Sequence, residues 1–254
     1  VDPVRLDLPS VGMCRKVDEV WRQMVAQPGL ILLCGPTGAG LRATAATARG
    51  AFYMPVRDKE AAVAAVRAAE QGRTVVARVV ADSVPEALAL LRDWGVPRAS
   101  LAGALRGVLS QRRVRRVCSV CALPGEADVR AAERYGTFAF AAPRAGPGCP
   151  ECHYRGYRGS FFASELVTVD QPLRDAVEMG VTLRDLGEHC VPVAERSLQA
   201  DAVAKAISGD TTVEELYRCI PPLPAWRGKP AEERHRGLLR AVTQPEAPSP
   251  VAAT

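Results

Sequence analysis

Two Cys-x-x-Cys pairs, Cys118 with Cys121 and Cys149 with Cys152, are separated by twenty-seven residues and constrain this chain more tightly than any other feature. Each pair can grip one ion from a tight turn, and two pairs complete a tetrahedral shell of four sulfurs with bonds of about 2.3 Å. The stretch between them is punctuated by Pro124, Gly125, Pro143, Gly146, Pro147 and Gly148. It reads as loops around one short helix near Glu126 to Tyr135. Such a piece has no core of its own, so the expected ion is structural Zn²⁺ in a closed shell with no position for water. Gly148, Pro150 and Gly156 supply the turns that knuckles of this kind need. Iron would also satisfy the thiolates, and four unrelated buried cysteines or a redox pair is the weaker alternative. His153 reads as a bystander, and Cys14, Cys34, Cys190 and Cys219 as small apolar residues.

Upstream, the apolar run Leu30 to Cys34 reads as a buried strand. It leads through Gly35, Pro36, Thr37, Gly38, Ala39 and Gly40 into an alanine-rich helix from Leu41 to about Arg49. Strand, glycine turn and helix in that order frame a phosphate-binding loop, G-x-x-x-x-G-K-[ST], whose backbone N–H groups face the phosphates. Here the lysine position is Leu41 and the hydroxyl position is Arg42. The lysine would supply a charge-assisted hydrogen bond of roughly 1.5 to 3 kcal/mol, and the hydroxyl would ligate Mg²⁺. Leucine does neither, and a guanidinium has no lone pair to give a metal. The six loop residues are therefore a vestigial nucleotide site, weak at best for ATP and Mg²⁺, and no catalytic residue is assigned.

Phe52 to Val56 reads as a second strand, reached by a connection close to the shortest that permits a parallel crossover. Asp58 to Gln71 is a helix, and Thr74 to Val80 a third buried strand. Ser83 opens a helix to about Trp94, with Pro85 in its first turn and Glu86 completing a capping box. A further helix is expected from roughly Arg98 to Ser110, with Leu101, Leu105, Val108 and Leu109 on one side. This alternation gives an α/β fold with a parallel sheet. After the cysteine block, SFFASELVTV is extended and the remainder to Ile220 forms short helices, Thr212 and Glu215 marking a second cap. The expected units are a loop-bearing core over 1–117, the tetracysteine subdomain over 118–160, a helical part over 161–220 and a disordered tail over 221–254, rich in proline, alanine and charge.

At 254 residues and 48% hydrophobic composition, the chain can bury a sizeable core. No apolar run approaches the roughly eighteen residues that span a bilayer, and the start VDPVRLDLPS does not resemble a signal peptide. A cytoplasmic location is expected, and in that compartment cysteine pairs favour metal over disulfides. Opening on Val1 leaves open what precedes it. The formal net charge of +5 argues only weakly for nucleic acid. The densest basic cluster, Gln111 to Arg116, is interrupted by Val114 and reads as readily as one face of a helix or strand.

GPTGAG, the QRRVRRVC segment ending at Cys118, the second knuckle GCPECHYRGYRG and the closing SGDTTVEELYR together resemble the ATPase family that powers type II secretion and type IV pilus assembly. The resemblance runs from about RLDLPSVGM to Ile220 and covers the family's C-terminal ATPase region, not its N-terminal domains. It implies a RecA-like P-loop core, truncated here, a zinc knuckle, a hexamer that binds ATP between subunits, and a platform protein at the inner membrane as partner. Carried over residue by residue, it also implies losses. The loop lysine falls on Leu41 and its Ser/Thr on Arg42; the glutamate of the second acidic motif, over Met54 to Asp58, falls on Pro55; the histidine motif falls on Val80. The segment between loop and second motif is almost entirely missing. In phosphoryl transfer, where catalysis is mostly positioning and electrostatics, each lost group is worth orders of magnitude.

Three functions remain in view: a pseudo-ATPase serving as a structural or regulatory subunit, with itself or a complete paralogue as partner; a weak ATPase completed by neighbouring subunits; and a zinc-ribbon nucleic-acid binder using Arg112, Arg113, Arg115 and Arg116. Base-stacking aromatics do not interleave with those arginines, which counts against the third.

Overall fold

The apolar strand before the glycine loop lies at the centre of a five-stranded sheet. The computed structural model describes residues 12–224. The chain runs α1 (Arg15–Val25), β1 (Gly29–Cys34), α2 (Leu41–Ala45), β2 (Phe52–Pro55), α3 (Lys59–Glu70), β3 (Thr74–Val79), α4 (Val84–Asp93), α5 (Arg98–Ala104) and β4 (Leu105–Val117). There follow β5 (Ala127–Asp128), α6 (Val129–Tyr135), β6 (Phe140–Ala141) and β7 (Tyr157–Thr168). The described part closes with α7 (Gln171–Met179), α8 (Leu183–His189), α9 (Leu198–Ile207) and α10 (Val213–Cys219). Most of the expected tail, 225–254, lies outside the described residues, as does the start of the family resemblance before Gly12.

The sheet order is β2-β3-β1-β4-β7. The first four strands are parallel, and β7 joins the edge antiparallel to β4. All six residues of β1 are buried, as a strand covered on both faces requires. The short connection after the loop therefore does not place β2 beside β1; it carries the chain past the position that β3 fills. Its helix is shorter than expected, α2 ending at Ala45 rather than near Arg49.

The expected helix over 98–110 is incorrect beyond Ala104. Leu105 is already extended, with ψ at 130°, and the chain continues as the thirteen-residue strand β4. Leu101, Leu105, Val108 and Leu109 are all buried, so their inward placement holds while the period does not. Between β1 and β7, β4 gains ladder partners on both sides, which a helix there would forfeit. Gly107 makes the fit feasible, since a Cβ at that position would lie 2.5 Å from Met24 Sδ and 2.9 Å from the Val167 carbonyl oxygen.

Local signals fix most helix starts. Asp58 caps α3 by accepting from Ala61 N at 2.8 Å, and Ser83 caps α4 by accepting from Glu86 N at 3.4 Å. The reciprocal half of the expected box is displaced by one residue, because Glu86 accepts from Asp82 N. Thr212 caps α10, but the Glu215 carboxylate turns away to two arginines.

Three apolar clusters hold the layers together. One lies between the sheet and α3, α4, α5, α7 and α8, and includes Leu32, Val75, Leu88 and Leu101. Another lies on the opposite face under α1 and α2, around Trp21, Ile31, Leu33 and Leu41. The last fills the space between the β4–β7 ribbon and α6, α9 and α10, around Val114, Tyr135, Phe161 and Leu216. A buried acid organises its edge: Asp201 on α9 accepts from Arg196 at 2.7 Å, Lys205 at 2.6 Å and Ser164 N at 2.9 Å.

Candidate metal centre and the glycine loop

The pairing of β4 with β1 ends at Ser110, whereas its pairing with β7 continues to Val117 opposite Tyr157. The two strands thus leave the sheet as a ribbon, and Cys118 follows directly at its tip. Cys118 N donates to the Gly156 carbonyl at 2.9 Å, bringing both knuckles to the end of that ribbon. The four sulfurs of Cys118, Cys121, Cys149 and Cys152 lie within 4.8 Å of one another. Separations of 3.7 Å (Cys118–Cys149), 3.8 Å (Cys121–Cys152) and 3.8 Å (Cys149–Cys152) match the edge of about 3.8 Å of a tetrahedron with Zn–S bonds of about 2.3 Å.

Backbone amides support the same reading. Cys149 N and Gly156 N donate to Cys152 Sγ at 3.2 and 3.3 Å. Burial works against the Cys152 thiolate, yet the amides of Cys149, Gly156 and Arg155 outweigh it and bring the thiol to about 6. Burial and the neighbouring thiols instead push Cys121 up to about 12. Four sulfurs this close resist losing all their protons unless a cation balances them, and a bound divalent ion does so by deprotonating its thiols outright. The cluster can hold a metal. His153 is not part of it; it takes a left-handed turn conformation, φ 50°, just after Cys152.

The glycine loop sits at the carboxyl end of β1, where open parallel sheets bind their ligands. The surrounding positions carry little of the chemistry that phosphate transfer needs. Leu41 is 5% exposed and packs with Trp21, Ile31 and Leu33, so the side chain at the lysine position faces the core. Arg42 is exposed. Gly40 has φ +80°, and a Cβ there would lie 2.2 Å from the Phe162 ring, so β7 presses directly on the end of the loop. Gln111 fastens the other side, donating to the Ala39 carbonyl at 2.7 Å and accepting from Thr44 Oγ1 at 2.6 Å. Pro55 is exposed at the end of β2, Asp58 is spent as a helix cap, and Val80, at the end of β3, is 52% exposed.

The clustered arginines are largely built into the fold. Arg112 is buried and donates to the Asp82 carboxylate at 3.1 Å and to its carbonyl at 2.6 Å. Arg115 and Arg218 hold the buried Glu215 carboxylate at 2.7 and 2.5 Å. Burial raises the Glu215 acid, but hydrogen bonds from Arg218 and Arg115 prevail and bring it to about 2. Arg116 pairs with Asp210, and Arg113 donates to Ser160 Oγ at 2.9 Å. Sequence reasoning missed the Arg115–Glu215 pair and the Gln111 bonds as organisers, since those partners lie 100 and 67 to 72 residues apart. Of the other cysteines, burial pushes the Cys34 thiol up to about 12, in keeping with a small apolar residue. Among the described residues, no helix is long and apolar enough to cross a membrane.

The model of the type II/IV secretion system protein family matches residues 55–218, a span that holds both knuckles and begins after the glycine loop. The type IV pilus assembly ATPase PilB of Thermus thermophilus is 34% identical over 165 residues, covering 63% of this chain and 19% of that protein. The type II secretion system protein E of Pectobacterium carotovorum is 28% identical, covering 85% of this chain and 53% of the relative. The chain thus spans about half or less of the length of these relatives. The solved pilus retraction motor PilT with bound ADP superposes with a TM-score of 0.52 at 16% identity, over 85% of this chain and 66% of that one. The Legionella pneumophila ATPase DotB does so with a TM-score of 0.52 at 13% identity, over 79% and 62%. Because that family model covers well over half of the chain, the chain belongs to the type II/IV secretion system protein family.

Proposed function

We propose that this chain is a non-hydrolysing member of its family that serves a secretion or pilus motor as a structural or regulatory subunit. The observation that carries this reading is Leu41. Its side chain, in the place of the phosphate-clamping lysine, is built into the apolar cluster beneath the loop, and Arg42 beside it offers no ligand to Mg²⁺. Pro55 and Val80 supply no acid or base to activate water. A migrating phosphoryl group needs preorganised positive charge, a metal and an oriented nucleophile, and these positions offer none of the three.

What the chain keeps is shape. The sheet, the ribbon and the cysteine cluster form a framework able to stack against a like-folded neighbour. We therefore assign it a place beside a complete paralogue or a second copy of itself, in a ring of the hexameric kind, at the cytoplasmic face of the inner membrane and near a platform protein. The ion proposed for the four sulfurs is Zn²⁺ in a structural role, because a closed thiolate shell leaves no reactive position.

The test is steady-state hydrolysis by the purified chain with Mg-ATP, alone and mixed with a complete family member. The expected result is no turnover by the chain alone. Turnover that disappears on Gly40→Ala would overturn the proposal. Nucleotide held at the Gly35–Gly40 loop only in the mixture would instead support a motor subunit completed by its neighbours.

A further inference from the structure

The second knuckle has a geometry that a closed structural shell does not require. Cys149 and Cys152 close a single turn, Cys152 N donating to the Cys149 carbonyl at 3.2 Å, and a turn bonded from residue i to i+3 keeps its Cα atoms within about 7 Å. That is the reach of a disulfide, and the two sulfurs already stand 3.8 Å apart. In the first knuckle the turn bond runs from Ala122 N to the Cys118 carbonyl at 2.9 Å, a wider turn that passes over Cys121. Cys149 is half-buried, so one sulfur of the second pair meets solvent while the buried Cys152 sits behind it. Amides of Cys149 and Gly156 donate to Cys152 Sγ, and such bonds favour a sulfur that carries negative charge.

The backbone just beyond this pair is held under strain. His153 and Tyr154 take φ values of 50° and 59°, left-handed conformations that residues with side chains rarely adopt, and here two follow in succession. The bend is pinned to the knuckle, His153 N donating to the Pro150 carbonyl at 3.1 Å and Tyr154 N to the Cys149 carbonyl at 2.9 Å. Gly156 completes it, donating to Cys152 Sγ and accepting from Cys118 N. The Cys152 sulfur is therefore one hydrogen bond away from the residue that ties the two knuckles together.

We propose that Cys149 and Cys152 are a dithiol that hydroperoxides oxidise, and that the disulfide they form competes with the metal for this site. The inference rests on the structural Zn²⁺ proposed above and is independent of whether the chain turns over ATP. Cys149 Sγ, the accessible sulfur, attacks one oxygen of hydrogen peroxide; the O–O bond breaks, a sulfenic acid forms and hydroxide leaves. Cys152 Sγ then attacks the Cys149 sulfur, the S–O bond breaks and a second hydroxide leaves. Two thiolates, one hydrogen peroxide and two protons thus give one disulfide and two waters, the sulfurs oxidised and the peroxide reduced. Cys118 and Cys121 alone do not complete a tetrahedral shell, so the ion is released. Cys118 with Cys149 and Cys121 with Cys152 are equally close through their sulfurs. They belong to different knuckles, however, whereas Cys149 and Cys152 share one turn and the loop between them is the shorter to close. A disulfide sulfur has no charge to attract the Gly156 amide, so the bend behind it also loses a pin.

The experiment begins with the whole chain purified under dithiothreitol and its zinc counted by elemental analysis. After removal of the reductant it is treated with a small excess of hydrogen peroxide. A colorimetric chelator follows released zinc, and mass spectrometry of peptides maps the disulfides. Loss of the bound zinc is expected in step with a Cys149–Cys152 disulfide, and dithiothreitol with added Zn²⁺ should reverse both. Cys149→His keeps a fourth zinc ligand but cannot form the bond, so it should hold its zinc through the same treatment. If that variant folds without zinc, the peptide map of the parent decides. The proposal is overturned by zinc that peroxide does not release, by release with disulfides only between the knuckles or within the first, by oxidation only to sulfinic or sulfonic acid, or by equal release from Cys149→His. A parent chain without zinc at the first count would overturn it together with the metal reading, before any oxidant is added.

Discussion

Restoring the lysine of a phosphate loop would ordinarily be a route to restoring function, but here the fold predicts damage. Leu41 is 5% exposed in the cluster that includes Trp21, Ile31, Leu33 and Ala45. Leu41→Lys forfeits about 1.5 to 3 kcal/mol of apolar burial. The ammonium must then either shed its charge, at about 1.4 kcal/mol for each unit its pKa falls, or drag α2 outward until it reaches water. A loss of about 3 kcal/mol follows, equivalent to roughly 6 to 12 °C in Tm for a chain of this size. Leu41→Met keeps volume and should cost under about 1.5 kcal/mol. Denaturant unfolding measures the first effect, and titration with Mg-ATP asks whether anything is gained. Leu41→Lys is expected to unfold earlier and bind no nucleotide. Parent-like stability together with new Mg-ATP affinity would show that this side chain faces the loop, and the pseudo-ATPase argument would fail with it.

Other outcomes follow from the same structure. Glu215 has a depressed pKa in the fold, about 2 against an ordinary 4.5, so its contribution is complete above 4.5 and is lost as pH falls toward 2. Acid unfolding of Glu215→Gln should therefore be shallower across that window, and an unchanged acid limb would refute the pairing with Arg115 and Arg218. Gly40→Ala places a methyl on the Phe162 ring at a positive φ, and at least about 1 to 2 kcal/mol of destabilisation is expected from backbone strain alone. Adding Phe162→Ala should recover part of the loss due to the clash. Elemental analysis should find one Zn²⁺ per chain, and Cys149→Ser should release it. A chain that holds no metal but stays fully folded would remove the structural role of the cluster. Asp201→Ala leaves Arg196 and Lys205 facing a void, and should destabilise by about 3 to 5 kcal/mol in thermal unfolding.

Local chemistry made much of this molecule readable from its residues. The strand before the loop, the caps at Ser83 and Thr212, and the four metal-ready cysteines all depend on groups a few residues apart, or on ligands whose spacing betrays them. Leu105 to Ser110 was misread because its apolar residues fit a helical stripe, and only pairing with β1 and β7 decides for a strand. Such pairing joins residues dozens of positions apart and leaves no local period. The same distance hid an arginine-lined cleft beside the glycine loop. QRRVRR is visible in the sequence as a basic run, but the arrival of Arg134, Arg155 and Arg218 beside it is a product of the fold.

The ribbon formed by β4 and β7 behaves like a zip whose slider is the tetracysteine cluster. Among the described residues no third strand lies beside it beyond Ser110, so its grip there rests on one ladder, the α9 and α10 packing with the Glu215 and Asp210 bonds, and the closure at Cys118 and Gly156. Loss of an ion from the cluster would let the free end fray inward from Val117, and the first side chains to lose their stations would be Arg116 and Arg115. Amide exchange should then quicken at the tip well before Leu109 responds, so a metal bound at the ribbon's end would govern how firmly the β4 arginines beside the glycine loop are held.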